Sequence, residues 1–543
     1  VKMKFLTSLF VTAFLIAGFF PLTYGQGNSQ LIFIQSIWRH GDRSPTSSYP
    51  GDLYDESAWP QGFGQLSTLG MQEHILLGKK IKNRYYDQLK FVNKTYHNYH
   101  IYVRSTDVNR TIISAISNFI GFYYNSSTSD SSPNVPEWPK NYVPIPIHTI
   151  DDDTDNIKKI KNRYYDQLNF IKKTYHNYDI YVRSTDVNRT IISAISNFIG
   201  FYYNSSTSDS SPNVPEWPKN YVPIPIHTID DDTDNIANPD SICPRRYKLY
   251  DLLKETPEYK NISAKCSGLL DYLSNSTKAS ITLDNLWLLR DGIFIEKSNN
   301  KKIPTWINDD NFKQIEECDN SMDDILNGYN VNPYKNLDIG LEISKLRGGA
   351  MINEIVNRME IKKKCNDGDP SVKGSSVCKL KYYAYSAHDT TVASFLTVLG
   401  KNVKGQLVPK GLPHYSAATF IELWYDNTSK QYYIKTQYVY PPNGTFGIDL
   451  NEKKFCDFTD EDLKNPDKNT FCDFTKILPN SVNGTITLDQ FAKNAKPYAI
   501  QDYAALCLNT DVKFGGSNSA EKTIVISNFT LFVFILLQYV VSF

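Results

Sequence analysis

Arg39, His40 and Arg43 fall within five residues of "SIWRHGDRSPT" (36–46), straight after an apolar run. Side chains of one charge sign on a short turn repel one another, so such a turn calls for an anion among them. Two later stretches carry matching chemistry. "VRSTDVNRT" holds Arg104 beside Asp107, and "YSAHDTT" holds His388 and Asp389. Guanidinium forks suit the oxygens of phosphate or sulfate. Three arginines and two histidines around one point would make a dianion site. The open question at this level is whether His40 holds the anion or attacks it.

The elements around these residues allow them to converge. "LIFIQSIW" (31–38) is nearly all apolar, as in a strand covered on both faces. "IYV" (101–103) and "LKYYAYS" (380–386) read as two further strands. Each of the last two runs into a polar turn and then a helix. Ile112, Ile116 and Phe119 share one helical face, with Asp107 as a candidate cap. Val392, Phe395, Leu396 and Leu399 share another, with Thr390 as cap and Gly400 as stop. Residues 68–90 read as an amphipathic helix through Met71, Ile75, Ile81 and Tyr85. In a parallel α/β sheet, ligands gather outside the carboxyl ends of the strands, near helix N-termini. The three turns belong there.

The chain has 543 residues, with 58 Lys plus Arg against 58 Asp plus Glu, so no bulk charge draws it to nucleic acid. Residues 1–25 have the layout of a signal peptide. Eight cysteines, at 243, 266, 318, 365, 378, 456, 472 and 507, suit disulfides in an exported chain and leave the pairing open. Asn-x-Ser/Thr acceptors from Asn93 to Asn528 suit a glycosylated surface. Residues 511–543 end in an apolar tail behind a small-residue spacer, the layout of a glycolipid-anchor signal, with a spanning tail helix as the alternative.

Residues 79–157 and 158–236 are nearly one text written twice. They differ at Lys90/Asn169, Val92/Ile171, Asn93/Lys172 and His100/Asp179. That fits a recent duplication or a gene-model error better than a repeat architecture, since a core built for one copy has no second place for the same apolar faces. Only one "IYV" strand can occupy the sheet. Arg104 is preferred for the site, with Arg183 as its duplicate, and the unused copy is expected to dock poorly and expose its Ile and Phe residues. His148 and His227, in the two "PIPIHT" stretches, read as structural. "FCDFT" occurs at 455–459 and again at 471–475, a smaller echo.

"RHGDRSP", "VRSTDVNRT" and "YSAHDTT", in that order, resemble the histidine acid phosphatases, a branch of the histidine phosphatase superfamily. "WPQGFGQLSTLGMQEHILLG" (59–78) and "VPIPIHT" (222–228) add to the likeness, which covers about residues 30–505. The resemblance implies a catalytic domain over 26–510 with a mainly parallel sheet flanked by helices, as in phosphoglycerate mutases. It places a smaller helical cap at about 237–347. It makes His40 the nucleophile that becomes a phosphohistidine, and Arg39, Arg43 and Arg104 (or Arg183) the phosphate clamp. His388 becomes a second phosphate contact and Asp389 the proton donor, protonated more readily in acid. It implies phosphate monoesters, small or on protein, as substrates, with no cofactor, no metal and no nucleic acid. A membrane-anchored form in the secretory pathway, at the cell surface or in a lysosome or gut lumen, and a homodimer complete the expectations. Two alternatives stand beside it: an exported phospho-ligand-binding protein inactivated by the duplication, and a phytase-like inositol polyphosphate phosphatase.

Overall fold

The computed structural model describes residues 29–93, 95–97, 99–124, 142–148, 182–183, 188–201, 212–219, 221–227, 233–400, 412–439, 471–500 and 502–511. The leader (1–25), the apolar tail (512–543) and the first "FCDFT" lie outside the described residues. Among the described residues, no helix is long and apolar enough to cross a membrane.

The centre is an eight-stranded sheet. Its first strand, β1 (Ser29–Arg39), is buried from Leu31 onward. It pairs in parallel with β6 (Tyr382–Ala387), which pairs in parallel with β2 (Ile101–Ser105), which pairs in parallel with β3 (Ile147–His148). On its other side β1 meets β7 (Ala418–Asp426) antiparallel, and β7 meets β8 (Gln431–Val439). Short strands β9 (Phe471–Asp473) and β10 (Ile486–Thr487) both pair with β8. The parallel half is the one whose strand ends carry the three turns.

Alternation along the strands feeds two apolar cores, which is why β1 reads as a continuous apolar run. Trp38, Tyr382 and Phe420 face the first core, with α1 (Thr68–Lys82) and α2 (Asn109–Phe122). Phe33, Ile37, Tyr383 and Ile421 face the second, with the helices Ala350–Asn366 and Asp389–Gly400. The amphipathic stretch at 68–90 is α-helical to Lys82 and continues as a π-turn over Asn83–Gln88. Asp107 does not cap α2. Val108 takes the cap position without a side-chain bond, and Asp107 instead meets His227 at 3.1 Å.

The helices Pro244–Leu253, Pro257–Thr277, Leu286–Ser298 and Asp309–Leu326 build a third core of their own over the sheet's active end. Disulfides join Cys243 to Cys507, Cys266 to Cys318 and Cys365 to Cys378. The first ties the start of this helical layer to the chain's last described helix.

The first copy of the duplicated text takes the place in the sheet. From the second copy, β4 (Val182–Arg183) and β5 (Ile226–His227) pair, among the described residues, only with each other. The expectation of a poorly docked, exposed second copy is corrected: Ile191, Ile195, Phe198 and Ile199, on the helix Asn188–Phe201, are buried in the same core as α2. Tyr142 and Tyr221, equivalent positions of the two copies, lie against each other with hydroxyls 2.8 Å apart. Apolar faces that had no second slot in the sheet found cover on one another.

Candidate active site

The site begins with backbone. At the carboxyl end of β1, the Arg39 amide donates to the Ala417 carbonyl and the His40 amide to the Ala387 carbonyl, at 3.0 and 2.9 Å. The Thr106 amide donates to the Ser386 carbonyl at 3.0 Å. The turns after β1, β2 and β6 are thereby tied together. The first also sits tightly on α1: a Cβ on Gly41 would lie 2.3 Å from the Gly70 carbonyl oxygen, and one on Gly70 would lie 2.2 Å from that of Asp42. Neither glycine can carry a side chain without moving the loop.

His40 is 1% exposed. Its Nδ1 is 2.8 Å from the Gly41 carbonyl oxygen. A carbonyl only accepts, so Nδ1 carries the proton and Nε2 keeps the lone pair. Burial holds the imidazole well below its usual pKa, and the charges of Arg110, Arg39 and Arg43 add to that. His40 therefore stays neutral in mild acid.

Arg39 donates to the Pro413 carbonyl at 2.6 Å, pairs with Asp389 at 2.7 Å and lies over the Tyr415 ring at 4.1 Å. Arg43 forks onto Asp291 from the helix Leu286–Ser298, at 2.9 and 3.1 Å. The His388 ring centre is 5.6 Å from that of His40. Its Nε2 is 3.0 Å from the Thr106 hydroxyl, whose own proton goes to Thr111, so Nε2 donates. Burial, with Arg110 beside it, lowers His388 to about 3. Burial works to raise Asp389, but Arg39, Arg43 and His388 together hold it below the usual carboxylate value. Asp389 is thus an ionised partner of Arg39, where the sequence led to the expectation that acid protonates it.

One expected residue is not in the cluster. Arg104 is buried beneath the turn, with Nη2 2.7 Å from Asp234 and Nη1 3.9 Å from Glu354. It sits within β2, whose register sends it to carboxylates behind the site. Arg183 lies on β4, outside the central sheet. The arginine that the structure brings to His40 and His388 is Arg110, in the first turn of α2, with Nη2 3.5 Å from His388 Nδ1. It was present in the quoted "VRSTDVNRT". The usable signal was position: a residue just inside a helix N-terminus faces the strand-end crevice, whereas one inside the strand faces a core or a covering helix. Tyr415 and Asp291 had no sequence signal. His148 stacks on Tyr102 at 4.3 Å, away from the cluster.

A parallel-sheet crevice with a neutral imidazole among three guanidinium groups defines an anion-handling α/β protein. The comparisons give its family. The model of the histidine phosphatase superfamily (branch 2) matches residues 30–161 and 155–439, and the chain belongs to that family. The two matches overlap where the duplicated text joins. The chain is 27% identical to the lysosomal acid phosphatase of Xenopus laevis over 68% of its own length, spanning 62% of that relative. It is 25% identical to the prostatic acid phosphatase of Homo sapiens over 94% of its length and 96% of that protein's. A solved Hafnia alvei phytase is similar at a TM-score of 0.48 and 12% identity, over 89% of this chain and 99% of that one.

Proposed function

We propose that this chain is an acid phosphatase that hydrolyses phosphate monoesters through a phosphohistidine on His40. The observation that carries the reading is the His40 ring, its Nδ1 spent on the Gly41 carbonyl and its Nε2 left as a lone pair among Arg39, Arg43, Arg110 and His388. Nε2 attacks phosphorus as the ester P–O bond breaks, and the arginines offset charge growing on the phosphoryl oxygens. Asp389 delivers the proton that the departing alkoxide needs. Phosphate monoesters have a second pKa near 6, so at about pH 5 the substrate itself brings a proton into the site. Its negative charge also offsets the arginines that keep Asp389 ionised. Water then attacks the phosphohistidine, its proton passes to the Asp389 carboxylate, and phosphate leaves.

The names of the lysosomal and prostatic relatives support a place in the secretory pathway, and the apolar leader agrees. Retention on a membrane through 523–543 is a separate expectation, tested by deleting that segment. The alternative of an inactivated binding protein is disfavoured by a cluster that holds a neutral His40, three arginines and the Asp389 carboxylate together. The test is phosphate release from p-nitrophenyl phosphate near pH 5 in the presence of a chelator, with His40→Ala as the control. An inert wild-type protein that still binds phosphate would favour the binding protein.

A further inference from the structure

Arg43 is the member of the cluster held from the helical layer. Its terminal nitrogens close on both oxygens of Asp291, and Nη1 also donates to the Ser44 carbonyl at 3.0 Å. This uses the end of the guanidinium. Among the described residues the Nε–H is buried without an acceptor, and it shares the remaining edge with the second Nη2 hydrogen. That edge is a two-donor fork free for phosphate oxygens. Asp291 is fixed in place by its helix. A Cβ on the adjacent Gly292 would lie 2.4 Å from the Tyr49 ring, and the Tyr49 hydroxyl donates to Glu296 one turn on, at 2.9 Å. The helix is seated on Tyr49, just past the "RHGDRSP" loop, and paired with Arg43 within it, so the carboxylate of Asp291 is a wall of the site.

The charges around the site can then be counted. Arg39, Arg43 and Arg110 bring three positive charges, and Asp389 and Asp291 each remove one. Arg290 lies 3.8 Å from Asp319 on the neighbouring helix, and burial raises that carboxyl to about 6, so the two cancel only above that pH. His40 and His388 are neutral. Above that pH one positive charge remains among these groups, and a bound phosphate already exceeds it. A second anionic group on the alcohol would add to that excess and would be repelled by Asp291.

We propose that Asp291 is a specificity-determining residue that confines the site to monoesters whose alcohol is neutral or cationic. The proposal rests on the phosphatase reading above. Its test is the ratio of kcat/KM for 3-phosphoglycerate to that for O-phosphoethanolamine, measured at pH 7, where Asp319 is ionised, and in which the fraction of active protein cancels. The wild type should favour O-phosphoethanolamine. Asp291→Asn should move the ratio toward 3-phosphoglycerate by roughly tenfold, as expected for losing one charge at close range in a partly screened site. Asp291→Glu should keep the wild-type ratio. An unchanged ratio in an active Asp291→Asn enzyme overturns the proposal. If that variant does not fold, the wild type decides: its ratio should move toward 3-phosphoglycerate as salt is raised, and a salt-independent ratio overturns the proposal. A wild type inert toward p-nitrophenyl phosphate as well would instead refute the phosphatase reading.

Discussion

Arg104 and Arg110 stand six residues apart in one motif, and the structure gives them opposite jobs. Arg110→Ala should remove one of three guanidinium groups facing the transferring phosphoryl group. Losing one preorganised donor to a developing oxyanion costs about 10²–10³ in rate, so kcat/KM should fall by about that factor while the protein stays folded. Arg110 is also the largest charge holding down the His40 pKa. Its removal raises that pKa, so the acid limb of the pH profile should move to higher pH. Arg104→Ala should do neither. Its partner Asp234 is fully buried, and breaking a buried pair costs roughly 3–5 kcal/mol. The backbone amides of Ile236 and Ala237 still donate to Asp234, at 3.2 and 3.0 Å, which favours the lower end. The assay is kcat/KM on p-nitrophenyl phosphate against pH, beside thermal unfolding. Turnover lost in Arg104→Ala with its melting temperature unchanged, and kept in Arg110→Ala, would refute the assignment.

Asp389→Asn should slow alkyl phosphates far more than p-nitrophenyl phosphate, because the nitrophenolate leaves without help. Equal slowing of both would remove Asp389 from the proton-donor role. Burial raises Glu296 to about 8, against about 4.5 in the unfolded chain. Between those values the native state keeps a proton that the unfolded state has released, so stability falls as pH rises from about 4.5 to about 8. Glu296→Gln should flatten that slope in urea titrations run across the window; an unchanged slope would show that Glu296 does not hold the proton. Deleting 158–236, one full copy, should leave an active enzyme, read by phosphate release and thermal unfolding; an unfolded product would show that the second copy has become indispensable.

The sequence made the strands and the convergence of their turns legible, because burial on two faces leaves a run such as "LIFIQSIW" and polar turns interrupt it sharply. His40, Arg39, Arg43, His388 and Asp389 meet as spacing and family resemblance suggested. The choice between Arg104 and Arg110 was not legible from residue type. It depends on the register of β2 against β6, which sends Arg104 toward Asp234 and Glu354, and on the angle at which α2 leaves the turn. The ionised state of Asp389 was hidden for a related reason. A pKa is set by neighbours in space, and Arg39 and Arg43 are some 350 residues away in the chain.

The duplication shows how far local text can be separated from its place in the fold. Copy one supplies β2, with Arg104 and Asp107, yet the partners of both come from copy two: Asp234 for Arg104 at 2.7 Å and His227 for Asp107 at 3.1 Å. The same residue types stand 79 positions earlier, as Asp155 and His148. Strand, turn and helix are local, and copy one supplies them beside β6. The closing contacts belong to the copy joined to Ala237, whose carbonyl accepts from the Thr391 hydroxyl at 2.7 Å and anchors the chain beside the site. A loop's closure cost grows only slowly with its length, so an inserted copy between those two points adds little penalty. It can be carried as long as its apolar residues find cover, and the contact of Tyr142 with Tyr221 is one place where the two copies provide it. The strand beside the His40 site thus comes from the first copy and the carboxylate that pairs with its Arg104 from the second, and deleting 158–236 restores both from one.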